Sequence, residues 1–179
     1  MVRTKLSLAV MLIALTPVFA QEPPKNPYAG FEQRPIKALS AQQLDDLRNG
    51  RGMSLALAAE LNGFPGPLHV LELGDQLALT DAQRTNVAAL FAAMKAEAVP
   101  IGERLISQEA DLDRQFAGQT VTPATLASAT EAIGATQAAL RNVHLKYHLA
   151  TVDLLTSEQL RKYAELRGYA GTSPHRGHH

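Results

Sequence analysis

Cysteine and tryptophan are absent from this 179-residue chain, and its aromatic residues are five Phe and four Tyr. Without thiols there is no disulfide, no thiol nucleophile and no thiolate metal site, so any bound cation falls to His, carboxylate or Met ligands. Neither sign of charge dominates, since Lys plus Arg and Asp plus Glu both number 17. That balance excludes the strongly basic footprint of a nucleic-acid binder. Long apolar runs are scarce as well. The longest, Leu6 to Leu15, is about half the roughly 20 residues that a spanning helix requires, so no membrane span is expected. What the chain has in quantity is alanine, 29 residues, with little β-branched or aromatic material to build sheets. The composition therefore predicts an all-α domain.

The first twenty residues read as a secretory signal peptide: Arg3 and Lys5, the apolar stretch, a Pro17 break, then Val18-Phe19-Ala20 at the cleavage position. Cleavage there leaves 159 residues with 15 basic and 17 acidic side chains, net −2, the size of one ordinary domain. Residues 21–38 open with QEPPKNPYAG, three prolines in ten residues without apolar period, and read as an extended tether. The domain is expected over 39–168. A His-rich tail, 169–179, has nothing to pack and is expected to be disordered.

Helix starts are marked by capping boxes. Ser40 with Gln43, Thr80 with Gln83 and Thr156 with Gln159 each place a hydroxyl at the cap and an amide at N3, and a preceding Leu can staple onto the first turn. Thr122-Pro123 adds a fourth start, with Pro at the first helical position. Gly50 and the run Asn62 to Pro67 are stops, bounding a short Ser54 to Leu61 helix. From Thr80 to Gly118, Val87, Phe91, Met94, Ala98, Ile101, Leu105 and Leu112 recur at steps of four and three, broken once by Gln108. This is the seam of one helix about 58 Å long, in which Pro100 should produce a kink or break. Leu126, Ile133, Leu140, Tyr147 and Leu154 form the facing seam on a helix from Pro123 to Leu154. The short Gly118 to Thr122 connection predicts an antiparallel hairpin. Two single-striped arms bury only a narrow seam, so short flanking helices should cover the rest of an open, hooked shape, which a homodimer would close; a closed four-helix bundle is the alternative.

With a signal peptide, an all-helical domain and no cysteine, the pair LTDAQ (79–83) and LTSEQ (155–159) resembles the Spy/CpxP family of periplasmic LTxxQ-motif proteins. The resemblance spans residues 39–167, and its motif residues are Leu79, Thr80, Gln83, Leu155, Thr156 and Gln159. It implies a hooked helical hairpin paired as a dimer in the periplasm. It also implies ATP-independent binding of unfolded envelope proteins or of a membrane sensor in envelope stress, or heavy-metal sensing, without catalysis. The chaperone members bind through a markedly basic surface, whereas this chain mixes signs along its long helices. Capture would then rest on apolar side chains, among which Phe91, Met94, Ile101, Leu105, Leu112 and Phe116 are candidates.

The pair His144 and His148 stands four residues apart on one helix, where two imidazoles can reach one cation. Leu145 follows the first His, so this is not the HExxH of a metalloprotease, and no P-loop, nucleophile elbow or dinucleotide fingerprint occurs. No enzyme is expected. Two ligands leave Zn²⁺ half-coordinated, and His69, Glu72, Met53, a dimer mate or the tail would complete the set. The tail's His175, His178 and His179 suit Zn²⁺, Ni²⁺ or Cu²⁺ without geometric demand. No cofactor is required by the sequence. The metal-sensing relatives hold ligands in their N-terminal helices, but residues 39–62 contain no His, so none of those ligands carries over.

Overall fold

Residues 26–169 are described in a computed structural model, which divides into two units, one ending at Glu32 and one beginning at Gln33. The described part of the first is a turn in which Asn26 Oδ1 accepts from the Tyr28 amide and the Tyr28 and Phe31 rings meet edge to face at 6.1 Å. Residues 1–20, expected as a signal peptide, and 170–179 of the expected tail lie outside the described residues, whereas Tyr169, at the start of that tail, is partly buried against the domain because it packs on the core cluster that holds Tyr163. The second unit holds six helices and, among the described residues, no strand. They are α1 (Ala41–Arg48), α2 (Leu57–Glu60), α3 (Pro67–Glu72), α4 (Asp81–Ala117), α5 (Pro123–Val152) and α6 (Ser157–Leu166).

The capping boxes set these boundaries. At Ser40, Thr80 and Thr156 the side chain accepts from the N3 amide while the N3 glutamine returns to the cap amide. Thr122 does the same with Thr125, a fourth box that the Thr-Pro pair only half announces. The Ser54 to Leu61 helix contracts to the single turn α2, and Pro67, read as part of a stop, is the first residue of α3. The first change follows from Met53 and Ser54, whose positive φ values of 41° and 64° hold the chain out of a right-handed helix until after Ala56, and the second from the proline itself, which at the first helical position lacks only an amide that would be unpaired there.

Pro100 does not break α4, which continues through 37 residues. Pro100 and Ala96, whose carbonyl it leaves without its helical partner, both lie at exposed positions open to solvent, while buried Met94, Ala98, Leu105 and Ile106 hold the helix on either side. A closer constraint lies two residues on. A Cβ at Gly102 would stand 2.5 Å from the Leu47 carbonyl oxygen, so α1 ends directly on the backbone of α4.

Antiparallel α4 and α5 form the long pair, and the shorter helices cover it. One core cluster joins Ile36, Leu39 and Leu47 to Met94, Ala98, Leu105, Ile133, Leu140 and Tyr147. Ile36 thus packs with the domain although it falls in the stretch read as tether. A second cluster gathers Val70, Leu77, Leu79, Val87 and Tyr163. Across the pair, Glu97 accepts from the Tyr147 hydroxyl at 2.7 Å and from Lys146 Nζ at 2.5 Å. The predicted seams hold through their middle, but Leu126, the seam residue toward the hairpin tip, stands exposed, as does Phe116 near it.

Candidate functional site

The two LTxxQ motifs meet in space. Each glutamine closes its own capping box, so Gln83 Oε1 accepts from the Thr80 amide at 3.0 Å and Gln159 Oε1 from the Thr156 amide at 2.9 Å. The same oxygens take the partner's amide, Gln83 Nε2 to Gln159 Oε1 at 2.8 Å and Gln159 Nε2 to Gln83 Oε1 at 3.0 Å. Each Nε2 then donates once more to the turn before the other motif, Gln83 to the Leu154 carbonyl at 2.9 Å and Gln159 to the Leu77 carbonyl at 3.3 Å. Both carboxamides are thereby saturated in a reciprocal clasp that fixes the start of α4 against the start of α6. Leu79, beside the first cap, is buried in the second core cluster and Leu155 packs against it. The clasp spends all its polar groups internally, so its role is architectural.

The chemistry that remains open lies elsewhere, in a cavity of about 500 Å³ walled by residues of the 49–57 segment, α3, α4, α5 and the end of α6. His144 and His148 both line it, 2% and 9% exposed. His148 Nδ1 lies 2.6 Å from the Phe64 carbonyl. A carbonyl only accepts, so Nδ1 carries the proton and Nε2 is the lone-pair nitrogen of the neutral ring. That ring leaves no room for a side chain at Gly66, where a Cβ would stand 2.9 Å from Nε2. The ring of His144 presents its Nδ1–Cε1 edge toward Gly52, and its Nε2 has no hydrogen-bond partner. Burial, then the neighbouring His148, holds the His144 imidazole below its ordinary pKa, so it is neutral at neutral pH.

Glu60 closes the floor, 6% exposed, and sequence inspection gave no sign of it. Its Oε1 accepts from the Tyr163 hydroxyl at 2.5 Å and lies 3.6 Å from Arg167 Nε; its Oε2 accepts from the Gly66 amide at 3.2 Å and lies 3.8 Å from His148 Nδ1. Burial and this carboxylate push the Tyr163 phenol well above its usual range, so the hydroxyl stays a donor.

The family model described as LTXXQ motif family protein matches residues 68–167. The chain belongs to the LTXXQ motif family. This is the Spy/CpxP-type family that the two motifs resemble. No curated protein and no solved structure gives a significant match. The matched stretch holds both motifs, the long pair and the two histidines. The residues that complete the cavity wall, from Asn49 to Pro67, lie before it.

The remaining site residues of this LTXXQ chain sort by burial. Of the six apolar candidates for client contact, Met94 and Leu105 are buried core, Phe91, Ile101 and Leu112 are partly buried against it, and only Phe116 is exposed. His69 lies on the cavity wall, with Nδ1 3.0 Å from Glu72 Oε2. Among the described residues, no three His, Asp or Glu side chains converge as a cation site. Met53 also lines the cavity, whereas His175, His178 and His179 lie outside the described residues. The described helices include none long and apolar enough to cross a membrane.

Proposed function

We propose that this chain is a non-enzymatic periplasmic accessory protein of the envelope stress response that holds unfolded proteins, or engages a membrane sensor, without ATP. Removal of residues 1–20 on export and assembly as a homodimer belong to the same reading. The observation that carries it is the apolar surface of the α2–α3 region. Leu57, Leu61, Phe64 and Leu68, four large side chains within twelve residues, are each between 36% and 54% exposed. Exposed apolar side chains at that density suit contact with another chain. Family membership and the absence of a catalytic motif support the reading.

The test is aggregation of a reduced, unfolding probe such as α-lactalbumin followed by light scattering. A molar excess of the protein should slow it, and Leu57→Ser/Leu61→Ser should weaken that protection several-fold while leaving the melting temperature nearly unchanged. If the unsubstituted protein gives no protection, the holding function is wrong.

A second reading, a heavy-metal sensor or buffer for Zn²⁺, Ni²⁺ or Cu²⁺, draws on one observation: His144 and His148 face one cavity, and burial favours the neutral, ligating form of His144. In Zn²⁺ calorimetry on a chain lacking 172–179, binding that disappears with His144→Ala/His148→Ala would support it. Binding unchanged by that pair would remove the helix site.

A further inference from the structure

We propose that the cavity beside His144 is a binding site for a small amphipathic anion, in its simplest form a medium-chain carboxylate. The inference concerns a small molecule and goes beyond the holding of unfolded chains. At about 500 Å³ the cavity falls within the roughly 300–1,000 Å³ of small-molecule sites. One part of its wall is apolar, formed by Leu57, Leu68, Phe91 and Met94. The remainder is polar and carries the cations Arg51, Lys95 and Arg167, whose charges are not equally satisfied.

Arg51 is already held by Asp45 and Asp46, and Arg167 lies 3.6 Å from Glu60. Lys95 has no carboxylate partner among the described residues; its Nζ stands 6.0 Å from the centre of the Phe91 ring. Glu60, the one carboxylate among the lining residues, is engaged at both oxygens by Tyr163 and the Gly66 amide. A cationic guest would therefore meet no free acid, whereas an anionic head group meets Lys95 with an apolar wall beside it for its tail.

His144 is the second, independent mark of a ligand. Its imidazole is 98% buried on this wall and its Nε2 is unpartnered, a polar atom that native interiors rarely leave unpaired. Its Nδ1–Cε1 edge faces Gly52, and a half-turn about χ2 that brings Nε2 to the place of Cε1 carries Nδ1 away, so either orientation sets one nitrogen on the Gly52 side. There it can meet an oxygen of the guest or a water held by it. Gly52 provides the space, since a Cβ there would lie 3.8 Å from the ring.

The experiment is an amide and imidazole NMR titration of the purified protein with octanoate, and in parallel with 1-octanol and octylammonium. Octanoate should bind one-to-one, with shifts confined to Gly52, Met53, Leu68, Lys95 and the His144 ring. Lys95→Gln should weaken octanoate about tenfold while leaving octanol unchanged, and Lys95→Arg should restore it. Unfolding of the two variants should match the parent, because Lys95 makes no ion pair that the change would break. No localised shifts at millimolar octanoate, equal binding of all three probes, or shifts centred on exposed Leu61 and Leu149 instead would each overturn the proposal.

Discussion

Gln83 and Gln159 show how much one residue type can do when its amide is used at both ends. Each oxygen receives both a cap amide and the partner's Nε2, and each Nε2 serves two acceptors, so removing one side chain orphans a cap amide, a turn carbonyl and half of the partner carboxamide. At about 1 kcal/mol for each such group, Gln83→Ala should cost about 2–3 kcal/mol in urea unfolding. The double variant with Gln159→Ala should cost less than the sum of the singles by at least about 1 kcal/mol, because the mutual bonds are lost only once. Simple additivity would mean that the two amides do not support each other. Each motif was legible as a capping box because its spacing is local; their pairing across 76 residues was not, since nothing in either pentapeptide points to the other. His144 makes a different case. Burial lowers its pKa, so the unfolded chain takes up this proton at a higher pH than the folded one does. Its stabilising share is therefore complete above about pH 6.5 and declines as pH falls below that, at up to about 1.4 kcal/mol per pH unit, until the folded value is passed. Urea midpoints measured between about pH 7.5 and 5.5 should fall less steeply for His144→Leu than for the parent. An unchanged slope would assign the acid sensitivity elsewhere.

Among the elements, the start signals were easier to read than the obstacles. Three of the boxes and the Thr-Pro pair gave the beginnings of α1, α4, α5 and α6 directly, since a cap is written within four residues. Pro100 announced a kink or a break, and α4 runs through it unbroken, because its cost is a single solvent-side bond in a helix secured on both flanks. Gly102 looked unremarkable and governs a helix crossing, because what it accommodates is the distant Leu47 carbonyl. Gly102→Ala should therefore destabilise the domain by about 1–3 kcal/mol, although alanine is the better helix former, as the added methyl meets backbone that α1 cannot withdraw without leaving Ala98 and Leu105. Thermal unfolding checks the sign, and a stabilised variant would show that α1 yields freely at this crossing.

At the scale of the whole molecule, the sequence predicted that two striped arms would leave apolar surface to answer, and the hairpin tip is where the shorter helices do not reach. The side chains of α4 and α5 there change character. Gln108 and Gln115 face Thr125, Ser128, Ala129 and Ala132 across a shallow groove, and both glutamine oxygens are buried without a partner. Phe116 and Leu126 stand at 55% and 37% exposure nearby. A seam of that kind is poorly satisfied by its own chain, which makes it the surface a second copy would improve, adding apolar cover to Phe116 and Leu126. Light scattering at micromolar concentration should then give twice the mass of one chain, and Phe116→Glu/Leu126→Glu should return it to one. Since neither side chain belongs to the buried core, that variant should keep its helical circular dichroism. A dimer that survives both charges would shift the interface to the α2–α3 surface of Leu57 and Leu61, where it would compete with the unfolded chains that surface is proposed to hold. A monomeric parent would leave the hairpin tip free and remove dimerisation from the functional reading.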